Sequence, residues 1–276
     1  MVRETSNPIF RSLSKKRLGY ANPNIQPIEA QRSFKDHSKR LKSDIVSPLT
    51  IDDVVTKTSI TLSILSIISA ISYVLVAENL ALATPFTLIG GIGGGALVFI
   101  SMLSCKQDSP SIVLSYAALE GLFLGGVSFI TASYTSFGGV SLISRSIVAT
   151  IGVFIGMLFV YKTGTIRVTP KFTRMLIAGM FGVLALMLVN VLLTFFGVGG
   201  NIGLGLRNSS SLSILFSLTC IALAAFSFLI DFDAADQMIR AGVPAKAGWG
   251  IALSLTVTLV WLYVELLRFL SYFDNR

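Results

Sequence analysis

Three aspartates fall within six positions in LIDFDAADQMIRAG, residues 229–242, directly behind a membrane-length apolar run. Asp231, Asp233 and Asp236 so placed could hold a cation such as Ca2+, at Asp231 and Asp233 above all. They could also hold a proton, since carboxylates crowded together cannot all stay ionised. Two further acids stand inside apolar sequence, Glu120 in YAALEGLFLGG and Glu265 in WLYVELLRFL. An acid within a spanning helix costs roughly 2.5–3.5 kcal/mol on insertion scales, so each asks for a partner or a task. A plainer reading stays open. Asp231 and Asp233 could mark a helix exit, with Asp233 capping a short second helix, AADQMIRAG, that carries Asp236 and stops at Gly242-Val243-Pro244. Acids at a helix C-terminus oppose the macrodipole, which argues mildly against mere decoration.

Other chemistry has little to stand on. His37 is the single histidine and lies in a polar N-terminal stretch, which excludes zinc sites of the HExxH type and Ser-His-Asp or Cys-His nucleophiles among the apolar segments. Cys105 and Cys220 are too few and too far apart for a metal motif. The glycine run GGIGGG at 90–95 lacks dinucleotide-loop spacing and sits in apolar sequence. No enzyme, catalytic residue or cofactor is expected.

The elements that must position the acids are membrane helices. A mean hydropathy of +0.77 and only 13% charged residues leave too little polar surface for a soluble chain of this length. Residues 1–57 hold 11 of the 22 Lys and Arg and no apolar periodicity, so they read as a basic, disordered cytoplasmic tail drawn to anionic lipid headgroups. Nucleic acid is a poor partner for it, with no folded platform and few aromatics. Seven apolar segments follow near 58–77, 85–105, 112–133, 145–161, 175–196, 212–230 and 249–270, each long enough to cross a ~30 Å hydrocarbon layer. The expected architecture is an all-α seven-transmembrane-helix bundle over 58–272, with a short tail at 273–276. With the N-terminus inside, 18 of the 22 basic residues lie on the cytoplasmic side, and only Arg145, Arg207, Arg268 and Arg276 lie outside. The C-terminus is then outside.

Depth groups the acids into two layers. Glu120 lies about 12 Å from the cytoplasmic start of the third segment, the side on which Asp231 and Asp233 leave the sixth, so the three are expected to converge. Glu265 lies roughly 24 Å into the last segment, with Asn190 at similar depth on the fifth. Arg268, three residues after Glu265, can pair with it along one face and reach outward. Trp261, Tyr263 and Tyr272 fit an outer aromatic belt. Gly90/Gly94, Gly91/Gly95, Gly121/Gly125 and Gly152/Gly156, each one turn apart, predict close helix packing.

The order of these features resembles the Bax inhibitor family of seven-helix membrane proteins, in its bacterial YccA-like branch. The resemblance is carried by VVTKTSITLSIL (54–65), LEGLFLG (119–125), VYKTGTIRVTPKF (160–172) and the long block from Leu229 to Ser271, and it spans about residues 50–272. It implies a bundle around a poorly hydrated pore, a pH-sensitive calcium leak in a bacterial inner membrane, and a role in restraining cell death or in membrane-protein quality control. It also implies closure by an aspartate at the end of the sixth helix paired with one in the seventh. Asp231 or Asp233 matches the first position; Thr258 stands where the second would be, and Glu120 could supply the missing carboxylate. The alternative is a non-conducting regulator that binds another membrane protein, such as a membrane protease.

Overall fold

The computed structural model describes residues 47–104, 107–135, 139–197 and 211–274. His37, Cys105, Arg207, Arg276 and nearly all of the basic tail lie outside them. Seven long helices account for the described chain: α1 (Ile51–Glu78), α2 (Ala83–Leu103), α3 (Pro110–Ser133), α4 (Gly139–Thr163), α5 (Pro170–Phe195), α6 (Ser211–Arg240) and α7 (Gly248–Asp274). All seven helical stretches are long and apolar enough to cross a membrane.

Local chemistry sets several ends. Thr50 and Asp53 form a reciprocal capping box at the start of α1. The helix therefore begins at Ile51, seven residues before the apolar segment that announces it. Pro110 and Pro170 occupy first-turn positions of α3 and α5, where a missing N–H costs nothing. Gly242, at φ 64°, ends α6 in the left-handed conformation that glycine adopts without a Cβ penalty. Nothing interrupts α6 before that point. The expected second short helix is absent, and Asp233 is an interior residue rather than a cap, because no breaker separates Asp231 from Arg240.

Packing centres on α7, whose apolar window is 61% buried against 11% for α4 and α5. It touches α1, α3, α4 and α6. Between α2 and α3 the glycines let backbones approach: a methyl group on Gly90 would lie 2.5 Å from the Leu119 carbonyl oxygen. Gly125 meets the Ser69 carbonyl of α1 at the same distance. Gly152 and Gly156 have nothing within 4 Å of such a methyl, so that pair marks an open face and not a helix contact. Just before α1, the Leu49 N–H donates to the Val243 carbonyl at 2.8 Å, and Lys57 Nζ donates to the Ala245 carbonyl. These bonds tie the start of α1 to the connection between α6 and α7.

Candidate functional site

The α6–α7 seam holds the best-defined polar arrangement. Asp231, half-buried near the end of α6, accepts two hydroxyl hydrogen bonds from α7. Ser254 Oγ donates to one carboxylate oxygen at 2.6 Å and Thr258 Oγ1 to the other at 2.7 Å. Ser254 and Thr258 are one helical turn apart, so both reach the same carboxylate from one face. Thr258 is buried while Ser254 is exposed, so the clasp runs from the packed seam to the surface of the bundle.

The neighbouring acids turn elsewhere. Two residues on a helix point about 200° apart, and Phe232 between them enters the core against Phe154, Tyr161 and Phe228. Asp233 Oδ2 accepts from Gln237 Nε2 at 2.6 Å on its own helix. Asp236 pairs with Arg240 at 2.8 Å and accepts from the Tyr161 hydroxyl of α4 at 3.4 Å. Of the three aspartates, Asp231 is the one whose side chain bonds to α7.

Glu120 occupies a different place. It is buried on α3, where Tyr116 of the preceding turn hydrogen-bonds to it. A methyl on Gly94 of α2 would come within 2.7 Å of Oε1, while Oε2 is buried with no hydrogen-bond partner. Glu120 thus sits against the glycine face of α2. Among the described residues, no group of three or more His, Cys, Asp or Glu could hold a metal ion. Glu120, Asp231 and Asp233 make up no metal-holding group and bond to different neighbours, because shared depth does not fix which helix face an acid occupies.

Nearer the far end of α7, Glu265 is 2% exposed. It accepts from Arg268 Nη1 at 2.9 Å, as its spacing predicts, and from Ser217 Oγ of α6 at 3.3 Å. Asn190 is half-buried on α5, its backbone carbonyl accepting from Thr194. Ser254, Thr258, Trp261, Glu265 and Arg268 recur at alternating steps of four and three, so α7 carries one polar stripe broken by an indole. That spacing was readable in the sequence; its orientation toward α6 was not. Tyr263 is half-buried and its hydroxyl meets Ser128 Oγ at 2.8 Å, while Tyr272 is buried.

The profile of a family described as Bax inhibitor 1 like matches residues 7–275. The chain belongs to this Bax inhibitor 1-like family. No curated protein matches it. The match extends well into the N-terminal region that the motif blocks leave out. Thr258, near the position where the resemblance implies a second aspartate, donates a hydroxyl to Asp231. Two carboxylates at that distance would need a shared proton, whereas a hydroxyl supplies its own.

Proposed function

We propose that this multi-spanning membrane protein is a cation leak channel, passing calcium among other ions, whose gate is the Asp231 clasp. The observation that supports this is the carboxylate held by two hydroxyls of α7, the most buried of the seven helices. While the clasp is made, α6 and α7 stay together. When it parts, one carboxylate and two hydroxyls become free oxygen donors, the ligand type that Ca2+ accepts. A charged acceptor makes hydrogen bonds roughly twice as strong as a neutral one, so protonation of Asp231 weakens the clasp and favours opening. Glu120, with an oxygen lacking a partner, is a second proton-responsive group acting at the α2–α3 joint. Glu265 with Arg268, and Asn190 at similar depth, form an outer polar layer that holds the far half of the bundle. The basic bias supports a cytoplasmic side for the N-terminal tail and the gate, and the membrane proposed is a bacterial inner membrane.

The test is calcium flux into proteoliposomes between pH 6 and 8, with Asp231→Asn beside the unaltered protein. Raised flux with a flattened pH response is expected for the variant. Absence of flux above empty vesicles from folded protein overturns the channel reading and favours the non-conducting partner-binding regulator. Flux indifferent to Asp231→Asn keeps a pore and removes the gate from this residue.

A further inference from the structure

The flank of the bundle between α5 and α7 contains a cavity of about 410 Å³, formed by Ile177, Phe181, Leu184 and Met187 with other apolar residues of α5, and closed on the α7 side by Trp261. We propose that this groove is a binding site for one anionic phospholipid, with an acyl chain against Trp261 and the headgroup on Lys171 and Arg174.

Three observations carry the assignment. First, the groove has apolar walls within two membrane-length helices, and Ile177, Met180, Phe181 and Leu184 of its α5 side stay exposed, Phe181 at 66% and Leu184 at 51%. In a bilayer the only medium that reaches such a surface is hydrocarbon. Second, the span fits one chain: Ile177 to Met187 rises about 15 Å along the helix, and one leaflet of a ~30 Å hydrocarbon core is as deep. Third, the charge lies at one end. Arg174 stands one turn before Ile177, and Lys171 one turn before that; both are exposed, and neither forms an ion pair among the described residues. An acyl chain filling the groove from that leaflet puts its phosphate level with these two cations. Basic residues at a membrane surface attract anionic lipid. The site needs neither ion conduction nor the Asp231 clasp.

Trp261 and Trp249 are the only two tryptophans, so Trp249→Phe makes Trp261 the sole reporter. The full-length variant is reconstituted with lipid brominated at mid-chain, as phosphatidylglycerol or as phosphatidylcholine at equal mole fraction, and quenching is followed by titration. Brominated phosphatidylglycerol should quench at a concentration on the order of tenfold lower, the preference expected where two cations face one anionic headgroup. Adding Lys171→Gln and Arg174→Gln, both at exposed positions, should abolish the preference while quenching itself remains. Equal quenching by both lipids means ordinary boundary lipid and overturns the proposal. Absence of quenching by either overturns it as well, and a preference that survives both Gln substitutions overturns the headgroup assignment.

Discussion

Thr258→Val probes the α6–α7 clasp with the least collateral change, since valine keeps the branched shape and removes only the donor. Thr258 Oγ1 lies 2.7 Å from Asp231 Oδ2 and 3.2 Å from the Ser254 carbonyl, so the carboxylate takes the better share of its proton. A hydrogen bond to a charged group contributes about 1.5–3 kcal/mol. If the bond exists only in the closed seam, its loss moves the closed–open equilibrium by that amount, roughly tenfold to a hundredfold at 1.4 kcal/mol per decade. Calcium entry into proteoliposomes should rise accordingly until the open form predominates. The double variant Asp231→Asn/Thr258→Val supplies the control. Once the carboxylate is gone, Thr258 can turn to the Ser254 carbonyl, so removing its hydroxyl should add much less than it does alone. Thr258→Ser, which retains the donor, should behave as the unaltered protein. Flux unchanged in a folded Thr258→Val protein, or effects of the two substitutions that simply add, would refute the reasoning.

Three further outcomes follow from the geometry. Arg268→Ala strands Glu265, 2% exposed, with Ser217 as its remaining donor at 3.3 Å; breaking such a pair costs about 3–5 kcal/mol, to be seen as a lower unfolding temperature in detergent. Gly90→Ala drives a methyl to 2.5 Å from backbone oxygen and should destabilise by about 1–3 kcal/mol, whereas Gly152→Ala has nothing within 4 Å and should gain slightly from helix propensity; equal melting of the two would contradict the packing described. In a background without Cys105 and Cys220, a cysteine at Gly164 should react with an impermeant maleimide only from the cytoplasmic side and one at Asn79 only from outside, and the reverse pattern would invert the topology.

Much of this protein is written in its composition. Seven apolar stretches with hardly a charge can only be membrane helices, because a backbone in hydrocarbon must satisfy its own hydrogen bonds. The Glu265–Arg268 pair was equally legible, since residues three apart on a helix meet wherever the helix goes. Helix ends were less so. The capping box at Thr50 is a pattern within the polar tail, and the continuation of α6 to Arg240 depends on the absence of any breaker after Asp231. What sequence could not decide was which acids share a space. Depth along the chain placed Glu120 and the aspartates in one layer, but rotation about each helix axis sent Asp231 to α7, Asp236 to α4 and Glu120 to the glycines of α2. That rotation is set by how neighbouring helices pack. A hydroxyl four residues from another, each unremarkable in apolar sequence, becomes half of a clasp only when α7 lies against the end of α6.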